Sequence, residues 1–268
     1  MTLIKSLYYA IGNFHYCCII KLMFTIDKID NKRILKSDLV EDKDVYLFFG
    51  TRDIPIKTGE RKDFYSITES NKYFLAKYFN IPYENIIIPN QTHSDNIEVV
   101  KLDKVVYENC DGLITDKKDI AIALNFADCV PIIMYDPEKK VIGVCHAGWR
   151  GTYKKIVEKT VKEMNRVFNS DIANLKVLIG PAISKCCYNV SKDVLIKLVS
   201  TIHLSQRDLV YSNNYVDLKL INKYQLQNIG VKDIDVTKVC TSCQNDLFFS
   251  YRKDNKNTGR HFAFALLK

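Results

Sequence analysis

The sequence predicts an α+β fold, a layered α/β/β/α sandwich with mixed sheets inside and helices outside. Three observations carry the prediction. The runs "VPIIMY" and "VIGVC" are apolar on both pleat faces, so their strands belong inside a layered structure. Groups of such strands alternate with a few amphipathic segments, which then cover the outer faces. No internal repeat or low-complexity linker interrupts the chain, and 268 residues, 47% of them hydrophobic, suffice for a large core. We place an N-terminal extension at 1–40 and a single domain at 41–268.

The elements follow in chain order. "MTLIKSLYYAIGNFHYCCIIKLMF" is broken by Lys5, His15 and Lys21, offers no membrane-length run and has no small-residue cleavage site. It reads as an apolar extension or packed element, with Met23 an alternative start. "DVYLFFGT" reads as a strand ending at Arg52, and "SITESNKYFLAKYFN" as a helix stopped by Pro82. "NIIIPNQTHSDNIEVV" is strand, polar turn and strand. "DGLITDKKDIAIALNFADC" is a loop and then a strand leading into a hairpin. Thr152 is the expected cap of a helix whose Ile156, Val157, Thr160, Val161, Met164 and Phe168 form one face. "NLKVLIGPAIS" ends a strand in a Gly-Pro turn, and Ser191 caps the helix "KDVLIKLVSTI". Gly230 closes the helix "DLKLINKYQLQNIG", and "DIDVTKV" and "RHFAFALL" are the last strands.

The hairpin over 127–152 carries the first chemical signal. A two-residue loop, Pro137-Glu138, or a four-residue loop, Asp136 to Lys139, sets Cys129 directly opposite His146, with Cβ atoms ~5 Å apart. A thiol beside an imidazole makes either an activated nucleophile or two ligands of a metal. Zinc in an open catalytic site takes a third ligand, and His93 in the polar segment "NQTHSD" is the best candidate by residue type. The hairpin register does not reach it.

Charge and cysteine usage narrow the class. The net charge of +8 is scattered lysine among acids, as on a solvated helix face. It suits a small anionic molecule, and no basic stripe with interleaved aromatics points to nucleic acid. Nine cysteines, an odd number including the adjacent pairs Cys17-Cys18 and Cys186-Cys187, make a poor disulfide framework and point to a reducing cytoplasm.

The blocks "QTHS", "DGLITD", "ADCVPI", "HAGWRGT", "IGPAIS-CCYNV" and "FFSYRKDNKNTGRHFAFA" occur in the order found in the laccase-domain family, which the chain resembles from about residue 48 to its end. That resemblance implies a zinc-dependent purine nucleoside phosphorylase that also deaminates adenosine and cleaves methylthioadenosine, acting on nucleosides and phosphate. It implies His93, Cys129 and His146 as metal ligands and catalytic centre, and places Arg52 near the substrate cleft, although "DIPIKTGE" departs from the family pattern after it. Arg150, next to the last ligand, is a candidate for phosphate or ribose, aided by helix N-terminal amides. Asp111 and Asp128 are candidate proton-handling carboxylates or turn formers, and Trp149 a packing anchor. "CTSC" at Cys240–Cys243 resembles half a zinc ribbon without its second CxxC, and reads as structural thiols. Three alternatives stay open. One is a metal-free thiol hydrolase, as in relatives that edit peptidoglycan precursors. Another is a copper polyphenol oxidase, for which five histidines are few. The third is a binding protein that keeps the pocket.

Overall fold

The structure, a computed structural model, describes residues 24–54, 64–101, 103, 104 and 106–268. The first of two six-stranded sheets runs, in spatial order, β1 (Phe24–Ile29), β2 (Lys32–Ser37), β3 (Val45–Gly50), β14 (His261–Leu267), β7 (Ala121–Phe126) and β4 (Ile86–Ile87). The second runs β13 (Asp233–Val236), β10 (Lys176–Ile179), β8 (Val130–Asp136), β9 (Val141–Ala147), β6 (Gly112–Thr115) and β5 (Ile97–Val99). Both are mixed, because β4 lies parallel to β7, β5 to β6 and β13 to β10, while the other pairings are antiparallel. A short ribbon joins β11 (Tyr211–Ser212) to β12 (Tyr215–Val216). The helices are α1 (Phe64–Phe79), α2 (Trp149–Tyr153), α3 (Ile156–Phe168), α4 (Lys192–Val199), α5 (Leu204–Val210) and α6 (Leu218–Asn228). None among the described residues is long and apolar enough to cross a membrane.

Strand periodicity distributes side chains into three cores and so fixes four layers. On β14, Phe262, Phe264 and Leu266 turn toward α1, where Phe264 stacks on Phe79 at 4.9 Å. Ala263, Ala265 and Leu267 turn the other way, into the space between the sheets with Leu47, Phe49 and Leu124. Ile133 and Tyr135 of β8 enter that same space, whereas Ile132 and Met134 pack under Val157, Val161 and Met164 of α3. Every residue of β8, β9 and β14 is buried, which is why these strands lack an apolar-polar alternation.

Most expected elements are present, and the departures have physical causes. Ser191 accepts the Val194 N–H as the α4 cap, and Gly230 adopts φ +102° after α6. Thr152 is not a cap; it lies inside α2, where its buried hydroxyl accepts from Asn222 at 3.0 Å, and α3 begins after Lys155 at φ 60°. The expected loop "DGLIT" is instead β6, fully buried between β5 and β9; its Gly112 is held against Ile97, where a Cβ would approach Cγ2 to 2.4 Å. The two strands expected around "QTHS" join different sheets, as β4 and β5. The β1–β2 hairpin, α5 and the β11–β12 ribbon are additional to the expected elements. Of the extension expected over 1–40, residues 24–37 form β1 and β2, which continue the first sheet from β3, and residues 1–23 lie outside the described residues.

Candidate metal centre and its cavity

The β8–β9 register pairs Pro131 with His146 and Asp136 with Val141, two residues away from the expected opposition of Cys129 and His146. The Asp136 side chain is the reason. Its Oδ1 accepts the N–H groups of Glu138 and Lys139 at 2.9 and 3.0 Å, so the strand persists through Asp136 and the loop becomes Pro137 to Lys140. A shift of two preserves the pleat face. Cys129, just ahead of β8, therefore still reaches His146.

The donor atoms of His93, Cys129 and His146 all lie within 4.8 Å of one another. The two imidazoles meet edge to face, with ring centroids 4.8 Å apart and planes at 77°. His93 comes from the loop that crosses from β4 to β5, and its φ of 60° is a conformation non-glycine residues adopt rarely. Asp111, fully buried, imposes it: its carboxylate accepts the N–H groups of Thr92, His93 and Ser94 at 3.2, 3.1 and 2.6 Å, and the Ser94 hydroxyl at 2.6 Å. The same carboxylate accepts from His146 Nδ1 at 2.7 Å, leaving Nε2 of that ring free to serve as a donor atom toward the site. Gly148 completes the cradle, since a Cβ there would sit 3.0 Å from Cys129 Sγ and 3.2 Å from His93 Cδ2.

Electrostatics favour a thiolate. Burial pushes the Cys129 thiol up, but His146 and then His93 outweigh it and bring the pKa down to about 6. Burial works against charge on His146 too, yet the Cys129 charge and the Asp111 hydrogen bond raise it to about 9. Burial would raise Asp111, and the bonds from His146 and Ser94 hold it below the usual carboxylate value. Between pH of about 6 and about 9 the metal-free pair thus carries one shared proton, as thiolate and imidazolium. A metal must displace that proton. Affinity is therefore expected to climb about tenfold per pH unit across this window and more steeply below it, where the thiol is protonated as well. Calorimetry in buffers of different ionisation enthalpy checks this; release of about one proton per metal at neutral pH is the expected result, and no release contradicts it.

The three donors open onto a cavity of about 990 Å³ whose walls include Asn125, Tyr188, Arg252 and Arg260. That is room for a nucleoside-sized ligand. Asn125 exchanges two hydrogen bonds with Gln91 through its backbone, at 2.8 and 2.9 Å, while its buried side-chain oxygen has no partner among the described residues. Arg260 is half-buried at the start of β14, and burial lowers its pKa while the Cys129 charge opposes that. Of the other sequence-predicted residues, Asp128 and Trp149 also line the cavity, whereas Arg52 and Arg150 are not among its lining residues. Arg52 pairs with Asp254 at 2.8 Å, donates to the Phe248 carbonyl and stacks 4.2 Å over Phe249. Arg150 is exposed, its guanidinium 4.4 Å over the ring of Trp149, which lines the cavity. Asp128 accepts from the Thr241 hydroxyl and the Arg252 N–H, a bracing role. Arg260, Arg252, Asn125 and Tyr188 escaped the sequence reading as site residues. Their only signal was membership of, or proximity to, the ordered motif blocks.

A family model described as multi-copper polyphenol oxidoreductase laccase matches residues 58–268. A protein named purine nucleoside phosphorylase from Clostridium acetobutylicum is 33% identical over 244 residues, covering 88% of this chain and 99% of the relative. A protein named adenosine deaminase RL5, from an unknown prokaryotic organism, is 31% identical over 205 residues, 70% of this chain and 78% of that one. Among solved structures, the hypothetical protein YfiH of Bacillus licheniformis superposes with a TM-score of 0.82 at 31% identity, over 91% of this chain and 99% of its own.

Proposed function

The chain belongs to the multi-copper polyphenol oxidoreductase laccase family, and from that premise we propose a zinc-dependent purine nucleoside phosphorylase of the cytoplasm that also deaminates adenosine and cleaves methylthioadenosine. The observation that carries this reading is the convergence of two imidazoles and one thiol on a nucleoside-sized cavity that also holds arginines. His93, Cys129 and His146 would hold the zinc; one thiolate with two imidazoles is a donor set suited to it, with a position left for substrate. Bound there, zinc supplies Lewis acidity.

The chain's own groups do the rest. Asp111 keeps the His146 proton on Nδ1 and orients both rings. Arg260 and Arg252 provide fixed positive charge for phosphate, whose attack on C1′ accompanies departure of the purine. The unpaired Asn125 oxygen suits the exocyclic amine of adenine. Arg150 reaches phosphate or ribose from the rim, and Arg52, tied to Asp254, positions the segment leading to Arg260. Replacing Arg260 by Ala is expected to raise KM for phosphate about tenfold to a hundredfold, the size of one charge-assisted hydrogen bond. Steady-state kinetics with varied phosphate measures it.

A copper oxidase would need more imidazoles at one place. His203 stands at the start of α5, and His261 is buried against Phe126 and Phe248. The low pKa of Cys129 beside His146 keeps a second reading, a thiol hydrolase of peptidoglycan precursors. Chromatography of zinc-quantified protein incubated with adenosine separates them. Adenine that requires phosphate, together with inosine, supports the nucleoside reading. Unchanged adenosine with zinc in place contradicts it and directs the search to muropeptides.

A further inference from the structure

A second group of metal-type donors lies outside the cavity. The sulfur atoms of Cys186, Cys187, Cys240 and Cys243 all fall within 4.8 Å of one another. Cys243 Sγ is 3.5 Å from Cys186 Sγ and 3.4 Å from Cys187 Sγ, distances that rule out a bond, and all four thiols are free. We propose that these four cysteines form a structural zinc site that joins the turns following β10 and β13. A tetrahedral tetrathiolate with zinc–sulfur bonds of about 2.3 Å separates its sulfurs by roughly 3.8 Å, within the spread the four thiols already show. Binding needs no covalent step beyond loss of thiol protons to solvent.

Three features of the fold support it. The two turns leave the carboxyl ends of neighbouring parallel strands and are pinned together by an Ala182–Cys240 bridge and by Thr241 N–H donating to the Ala182 carbonyl at 3.2 Å. Each turn is closed locally, by Cys187 N–H to the Ser184 carbonyl and Gln244 N–H to the Cys240 carbonyl, both at 2.9 Å. Ser184 N–H donates to Cys240 Sγ at 3.4 Å, a contact that favours a thiolate. Lys219 supplies the counter-charge. It is 3% exposed, it forms no ion pair among the described residues, and its ammonium donates to the carbonyls of Thr237 and Val239 on the segment that ends in Cys240. Burial disfavours its charge while the Asp217 carboxylate, and after it the Cys240 and Cys186 sulfurs, favour it; a tetrathiolate zinc carries net negative charge that adds to theirs.

The site would hold one wall of the cavity. Tyr188 follows Cys187 directly, and Thr241 holds Asp128, the residue before Cys129. This inference stands independently of the catalytic reading, because the two donor sets share no residue.

The test counts zinc per chain in reductant-purified wild type, Cys129→Ala, Cys186→Ser/Cys243→Ser and the triple variant, with circular dichroism as the folding control. Cys186 and Cys243 are exposed, so their replacement leaves the apolar cores intact. Expected values are about two zinc ions in wild type, about one in Cys129→Ala and in the double variant, and none in the triple. Cobalt added to Cys129→Ala is expected to give strong thiolate-to-cobalt charge-transfer absorption, absent from the triple variant. A Cys129→Ala protein without zinc and without that absorption overturns the proposal. A disulfide among these four cysteines in the reductant-purified protein overturns it as well.

Discussion

Cys129→Ala is expected to lose the metal from the His93–Cys129–His146 site and to lower kcat/KM for adenosine by at least about a thousandfold. The substitution removes the only thiolate of the set, and the two imidazoles that remain make a poor zinc site. It also removes the charge that helps hold His146 protonated, so that ring becomes neutral at lower pH. The fold should survive, because Cys129 is only half-buried and precedes β8. Cys145→Ala is the matched control. Its thiol packs under the helices, with burial pushing its pKa to about 12, and its loss should leave both metal and turnover in place. Steady-state kinetics and metal analysis on the two variants decide the matter, and full activity in Cys129→Ala would contradict the site.

Asp111→Ala is expected to weaken zinc binding at this site about tenfold to a hundredfold and to destabilise the fold by about 3–5 kcal/mol. The carboxylate is the common acceptor of three consecutive backbone N–H groups and of His146 Nδ1. Without it those donors lose a buried partner, the left-handed conformation of His93 loses its support, and His146 can adopt the other tautomer. Chelator competition reads the affinity and thermal melting reads the stability. Unchanged affinity in a folded variant would show that His93 and His146 are oriented by something else.

The layers were legible because both faces of β8, β9 and β14 meet a core, and such strands carry uninterrupted apolar runs. Helix α3 was legible through its periodic face. Loop length was not, because an Asx turn at Asp136 moved the β8–β9 pairing by two residues without changing the face. For the same reason the partnership of Cys129 and His146 survived an incorrect register. His93 could not be placed by local patterning: its loop passes from one sheet to the other and is held by a carboxylate 18 residues downstream. Asn125 and Arg260 come together because β7 pairs with β14, more than a hundred residues later in the chain. The thiols of "CC" and "CTSC" stand out as motifs, yet only the parallel pairing of β10 with β13 makes them neighbours.

Nucleoside turnover is expected to require a metal held by His93, Cys129 and His146. Phosphate-dependent release of adenine by protein stripped of metal, and then reloaded with zinc, tests it most directly. The expected result is loss of turnover on stripping and its recovery with zinc in wild type, with no recovery in Cys129→Ala. Undiminished turnover by folded, metal-free wild type would contradict it.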